Sequence, residues 1–222
     1  MKRQEVAFFG KISAAMTHDI RNVLAIIRES SGLMQDLLSL CEEGAFPYQQ
    51  KFNKVLTGIQ DQVNRGVELA THFNHFAHSM DHAVSDIDGN EVARQLVYLM
   101  QRFARLRKVE LVASAAEQPV AIRTDAFALY RMLGECVSAI LQHVADGDTI
   151  TIAVDRREGT VEFRITAPLA DLAPDAAAAA LSDELLEVVE YLQALGGSLQ
   201  WTSTSGGNGL SLMVPAMPAA AA

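Results

Sequence analysis

The chain has 222 residues, half of them hydrophobic and a fifth charged, which is the balance of a soluble globular protein with room for one large domain or two small ones. A formal net charge of −9 argues against nonspecific nucleic-acid binding. No apolar run approaches the ~18–20 residues of a membrane span, and Met1-Lys2-Arg3-Gln4-Glu5 leads into an amphipathic helix and not into the apolar core of a signal peptide, so a cytoplasmic location is expected.

From residue 2 to 43 the apolar residues Val6, Phe9, Ile12, Met16, Val23, Ile27, Met34, Leu37 and Leu38 recur at threes, fours and sevens, which predicts one long helix. Gly44-Ala45-Phe46-Pro47 breaks it. A second helix follows, with Phe52, Val55, Ile59, Val63, Val67, Ala70, Phe73 and Ala77 on one stripe. Two such helices joined by a short turn make an antiparallel hairpin that can cover only part of its own apolar face. A second copy would complete a four-helix bundle, so a homodimer is expected.

Composition shifts at Ser85-Asp86-Ile87-Asp88-Gly89-Asn90, where the domain boundary is placed: residues 1–84 are the helical hairpin, 85–217 a second domain and 218–222 a flexible tail. In the second domain, 90–107 and 125–143 read as helices, with Asn90 and Thr124 or Asp125 as N-caps. Residues 108–113 read as a short strand. The stretches 149–155 and 160–166 alternate apolar and polar residues around Arg156-Arg157-Glu158-Gly159, a hairpin pattern. Residues 182–195 read as a helix with a glycine C-cap at Gly196-Gly197, and 198–203 with 210–214 as a closing hairpin. The fold class is therefore α+β, a helical hairpin followed by an α/β sandwich with a mainly antiparallel sheet. Cys41 and Cys136 lie far apart without metal-ligand spacing and read as reduced thiols.

One segment carries candidate chemistry. Thr17-His18-Asp19-Ile20-Arg21-Asn22 puts an imidazole, a carboxylate, a guanidinium and an amide within about one and a half helical turns. His18 and Asn22, four apart, share a helix face with Arg21 beside them. Asp19 is turned roughly 100° away, near enough to orient a ring nitrogen of His18. A neutral imidazole has a lone pair that can attack phosphorus. Asp19 would hold the opposite N–H, Arg21 would offset phosphoryl charge, and Asn22 would orient a phosphoryl oxygen or a water. His72, His75, His78 and His82 form another cluster, in which a metal ligand set would have only Asp81 to complete it; they read as polar positions at the end of the second helix.

Over nearly its whole length the chain resembles the transmitter half of a bacterial sensor histidine kinase. His18-Asp19-Ile20-Arg21-Asn22 resembles the phosphoacceptor box, a histidine followed by an acidic residue with Asn or Thr four positions on. The hairpin resembles the dimerisation and phosphotransfer domain, and residues 88–217 resemble the ATP-binding domain in element order. Leu133 to Gln142 lies where that domain has its asparagine-containing helix, and Gly147 to Ile152 fits the next strand. Leu195 to Leu199 and Gly207 to Leu212 fit its end. The departures fall on the nucleotide chemistry. Glu135 and Ala139 stand where magnesium-coordinating amides belong, and Mg²⁺ needs oxygen ligands that Ala139 does not supply. The Asp-x-Gly-x-Gly loop is replaced by Ala167-Pro168-Leu169-Ala170-Asp171, and the glycine-rich lid by Pro174-Asp175 with the alanine run Ala176 to Ala180. Gly206-Gly207-Asn208-Gly209 comes too late in the order to replace it and reads as a hairpin turn.

An intact phosphoacceptor helix with a degenerate nucleotide domain is similar to the dimeric histidine phosphotransferases of phosphorelays. That resemblance implies transfer of a phosphoryl group between receiver aspartates of response regulators through His18. It implies no cofactor of the chain's own, Mg²⁺ being held in the receiver partner's acidic pocket, and an upstream hybrid histidine kinase as a further candidate partner. Ala14, Ala15, Ile20 and Leu24 around His18 are candidates for receiver docking, several of them being candidates for the bundle core as well. The alternatives are a divergent ATP-dependent histidine kinase and a non-catalytic pseudokinase adaptor that binds response regulators.

Overall fold

The computed structural model describes residues 2–40, 48–114, 116–169, 185–204 and 207–216. The expected break at Gly44-Ala45-Phe46-Pro47, Cys41, the segment 170–184 with Asp171, Pro174-Asp175 and the alanine run, Gly206 and the tail 218–222 lie outside them. The chain divides into two compact units. One is Val6–His75; the other runs from Phe76 onward and takes in the first turn of the first helix up to Glu5.

The first unit is the hairpin of α1 (Lys2–Ser39) and α2 (Gln49–His78). Neither helix contains a proline, and the apolar spacing gives each a face to bury. Ile12, Met16 and Val23 of α1 are buried, as is Leu69 of α2. Phe9 stacks on Phe73 with centroids 6.4 Å apart, while Val23 meets Gly66, so the helices run antiparallel. A Cβ on Gly66 would stand 3.3 Å from Val23 Cγ1, so this glycine sits at a close approach of the two helices. The predicted α2 stripe is only partly covered: Val63 and Val67 are exposed and Phe52, Val55 and Ile59 half-buried. Two helices share a single seam, and the rest of a wide apolar stripe stays in solvent.

Among the described residues the second unit holds α3 (Gly89–Leu106), α4 (Ala126–Ile140) and α5 (Leu186–Ala194) with seven strands. The strands are β1 (Ser85–Asp88), β2 (Glu110–Ser114), β3 (Ala121–Thr124), β4 (Thr149–Arg157), β5 (Thr160–Ala167), β6 (Ser198–Thr204) and β7 (Gly207–Pro215). Five of them form one sheet in the order β2-β4-β5-β7-β6, antiparallel except for the parallel β2–β4 pair. A small antiparallel ladder of β1 and β3 stands apart from it.

Neither β1 nor β3 is among the predicted strands. Each has four residues, too few for a period to register. Their pairing also moves the helix cap. Asp88, not Asn90, is the N-cap of α3: its Oδ1 accepts from Asn90 N at 3.0 Å and from Val120 N at 2.9 Å. Asn90 is buried and ties down the following loop instead, accepting from Ala116 N and donating to Gln118 O, both at 2.9 Å. Asp125 caps α4 through Ala128 N at 2.9 Å. The α5 helix ends at Leu195, followed by Gly196 at φ +78°, with Gly197 N donating to Leu192 O at 2.7 Å.

Alternation along the strands sorts the sheet into two faces. Ile150, Ile152, Val154, Val161, Phe163, Ile165, Leu210, Leu212 and Val214 are buried on the core face. Met132, Leu133, Val137 and Ile140 of α4 and Leu96, Leu99 and Met100 of α3 are buried in the same unit. Cys136 is fully buried, and that burial pushes its thiol well above the ordinary range, consistent with an inert reduced side chain. The other face carries a polar network on Glu162, which accepts from Ser211 Oγ at 2.7 Å and from Arg157 Nε at 2.9 Å, with Arg164 beside it.

Candidate functional site

The middle of α1 sets His18 and Asn22 one turn apart on an exposed face. The Asn22 amide Nδ2 lies 3.1 Å from His18 Nδ1. Asp19 Oδ1 approaches the same ring nitrogen at 3.5 Å, the outer limit of a hydrogen bond. The burial is graded. The His18 side chain is 50% exposed and that of Asp19 11%, because Asp19 turns toward the seam lined by Ala15, Met16 and Val23. The structure thus brings together three of the four expected residues. Arg21 is exposed and pairs with no carboxylate among the described residues. The Asn22 amide also lies within hydrogen-bond reach of the imidazole itself.

Around this site Ala14 and Leu24 are exposed and Ile20 is half-buried. Ala15 is 6% exposed, which removes it from the expected docking surface and places it in the hairpin seam. His78 Nδ1 pairs with Asp81 Oδ2 at 2.6 Å, both well exposed, and among the described residues no three histidine, cysteine or acidic side chains converge on a metal position.

A second polar centre lies in the other unit, and sequence reasoning passed over it. Arg131 is 1% exposed inside the largely apolar α4. Its Nη1 donates to Glu135 Oε1 at 3.1 Å, one turn along, and to Gln4 Oε1 at 3.4 Å. Its guanidinium carbon stands 5.8 Å from the centre of the Tyr191 ring, a cation–π distance. Gln4 also bonds Glu187 at the start of α5. Arg131 Nε has no hydrogen-bond partner. Burial raises the Tyr191 hydroxyl pKa, with Asp125 and Glu5 adding to the rise. The readable signal was an Arg–Glu pair four apart inside an apolar helical run. Glu135 and Ala139, which the resemblance sets where amides belong, are on this helix: Glu135 pairs with Arg131, and Ala139 is buried.

The architecture has known counterparts. No protein-family profile matches the chain. The catalytic domain of the histidine kinase ThkA superposes with a TM-score of 0.52 at 11% identity, covering 62% of this chain and all of that one. The ATP-binding domain of PrrB from Mycobacterium tuberculosis gives 0.50 at 15% identity, over 60% of this chain and 98% of its own. The second domain has the fold of a histidine kinase ATP-binding domain. Full-length ShkA, solved in complex with AMPPNP, matches 96% of this chain and 47% of its own at a TM-score of 0.51 and 16% identity. In sequence, the sensor protein DegM of Bacillus sp. (strain B21-2) is 24% identical over 156 residues, 70% of this chain. The chain spans 38% of the length of that relative. No described helix is long and apolar enough to cross a membrane.

The segment that the resemblance sets at the nucleotide loop begins at Ala167, the last residue of β5. Ala167 is fully buried and Leu169 is 2% exposed, so apolar side chains are packed where the resemblance places an adenine-reading aspartate and a glycine. The late glycines serve the sheet instead. A Cβ on Gly209 would stand 1.9 Å from Ile165 O, and Gly207, at φ +129°, would bring one 2.4 Å from Ala167 O.

Proposed function

We propose that this protein is a cytoplasmic histidine phosphotransferase of a two-component phosphorelay, receiving a phosphoryl group from one response-regulator aspartate on His18 and passing it to another. The observation that carries the reading is the half-exposed His18 ring with Asp19 Oδ1 and the Asn22 amide both close to Nδ1, on the side away from Nε2. Contacts at Nδ1 fix the ring while leaving Nε2 on its far side. In the receiving step Nε2 attacks phosphorus, the bond to the receiver carboxylate breaks, and Asp19 takes up the charge developing on the ring. Arg21, exposed one turn from the ring's base, offsets charge on the phosphoryl oxygens. Mg²⁺ belongs to the receiver's acidic pocket in this scheme.

The donor is external because the second domain does not suit Mg-ATP. Glu135 would set a carboxylate against phosphates, Ala139 has no oxygen to offer a metal, and the one buried cation of α4, Arg131, is committed to Glu135, Gln4 and Tyr191. The protein acts as a homodimer: Leu33, Leu56, Val63 and Val67 leave apolar surface on both helices of the hairpin, which a second copy would cover. The test is to supply labelled ATP, then a labelled phospho-receiver. Label on His18 from the receiver alone, lost in His18→Ala, supports the reading. Label from ATP would make the protein a kinase, and full biological activity of His18→Ala would make it an adaptor.

A further inference from the structure

The end of α3 is capped by a lysine where glycine would be less strained. Val109 N donates to Ala104 O and Lys108 N to Arg105 O, both at 3.0 Å, the two bonds of a Schellman cap. The pivot, Lys108, has φ +53°, and among the described residues it is the only non-glycine in the left-handed region. Its side chain pairs with Asp146 Oδ2 at 2.7 Å, but both groups are well exposed, so the pair adds little to the fold. That leaves the charge itself as the reason for the lysine, and the charge has company. The chain holds 18 basic and 27 acidic side chains, yet the stretch 92–109 contains Arg94, Arg102, Arg105, Arg107 and Lys108 and no acidic residue. Arg94, Tyr98, Arg102 and Leu106, each four apart, make one ridge along the side of α3 opposite its buried residues. Leu106 ends the ridge 69% exposed.

We propose that this ridge docks an extended acidic segment of a protein partner, with carboxylates on the arginines and Lys108 and one apolar side chain against Leu106. The proposal stands apart from the relay reading. Charge complementarity carries it: the chain as a whole is acidic, and this basic ridge is where an acidic segment can approach without repulsion. The acidic groups at its margins, Glu91 and Asp146, are paired with Arg94 and Lys108. Four of the five cations are arginines, whose planar fork takes a carboxylate by two parallel bonds. An apolar centre with arginine around it is also the anatomy of a protein interface. The ridge runs about 18 Å along the helix, the reach of five or six extended residues, roughly. Attraction of cations to the C-terminal end of the helix dipole accounts for Arg105 in the last turn. It does not account for the exposure of Leu106 or for lysine over glycine at 108. A lipid surface suits the ridge less well, because a single exposed leucine is a thin anchor and the acidic remainder of the chain is repelled by anionic lipid.

The experiment titrates the full chain into two dye-labelled synthetic peptides, one of glutamates around a central phenylalanine and one of glutamates around a central glycine, and follows fluorescence anisotropy. Expected is saturable binding that weakens as salt is raised and is tighter for the phenylalanine peptide. The double substitution Arg105→Glu with Arg107→Glu, both exposed positions, should weaken it at least about tenfold. Leu106→Ser should remove only the advantage of the phenylalanine peptide. Lys108→Gly should bind more weakly yet melt no lower than wild type, since glycine relieves the cap. No saturable binding of either peptide, or equal affinity in wild type and the double variant, overturns the proposal. So does a Lys108→Gly protein that melts lower and binds as tightly as wild type, which would give the lysine a purely structural reason. Phosphatidylglycerol vesicles and duplex DNA are run alongside: binding to either that the same substitutions abolish, with none to the peptides, assigns the ridge to lipid or nucleic acid and overturns a protein partner.

Discussion

Arg131 donates to Glu135 across one turn of α4, Nη1 to Oε1 at 3.1 Å, with the arginine side chain 1% and the glutamate side chain 31% exposed. The pair is asymmetric, and so are the consequences of breaking it. Glu135→Ala strands a buried guanidinium and should cost about 2–3 kcal/mol in urea unfolding, toward the low end for a buried pair because Gln4 remains. Arg131→Met removes the buried charge at similar volume and leaves a part-solvated carboxylate, so it should cost under about 1 kcal/mol. Equal losses would mean that Arg131 is held by its packing and not by Glu135.

Asp125 caps α4 under strain of charge. Burial lifts its carboxyl above the ordinary range and Glu5 adds to the lift, against the pull of the Ala128 and Phe127 amides and of Arg131. A raised folded-state pKa means that its contribution is full below the unfolded value and falls as pH rises through the folded one. The informative substitution is Asp125→Asn, which caps as well and does not titrate. Asp125→Asn should therefore gain on wild type between about pH 4 and neutrality, whereas Asp125→Ala should lose about 1 kcal/mol at the acid end and less toward neutrality. Thermal unfolding at the two ends of that range decides it: a constant difference for Asp125→Asn would sink the argument.

Much of this was legible in the chain because the signals are periodic. Long stripes gave the hairpin, and alternation around Glu158-Gly159 gave β4 and β5, which close with Arg157 opposite Thr160. The His18 segment was legible because its residues are local: contacts at i+1 and i+4 follow from helix geometry. What escaped depends on distant partners. β1 and β3 exist by pairing with each other, Ser85 with Thr124, far apart in sequence. Asp88 took the cap from Asn90 because Val120 N also needed an acceptor. The Arg131 centre draws on α1, α4 and α5, and no local pattern announces that convergence.

The glycines divide into two mechanical classes. At Gly209 an added Cβ would collide with Ile165 O in the middle of the sheet, so Gly209→Ala should lower stability by more than about 3 kcal/mol or abolish folding. Gly58, inside α2, has open space around its Cβ position. There Gly58→Ala should add roughly 0.8–1 kcal/mol through helix propensity alone. Calorimetry on both variants checks the pair; a destabilised Gly58→Ala would reveal a close neighbour on that face in the assembled protein.

The exposed stripe of the hairpin makes the sharpest prediction about assembly. Val63 is 42% exposed, Val67 60% and Leu56 45%, all on α2, and the expected stripe also holds the half-buried Val55 and Ile59. Burying one such side chain at a dimer seam is worth about 1.5–3 kcal/mol, and placing a carboxylate there reverses the sign. Val63→Glu should thus weaken self-association by at least about tenfold while leaving the α/β domain folded. Sedimentation velocity across a concentration series reads the first effect, and the intrinsic fluorescence of the single tryptophan, Trp201 in β6, reads the second. A wild-type protein that stays monomeric at every concentration, or a Val63→Glu dimer of unchanged affinity, would place the stripe outside any interface between copies.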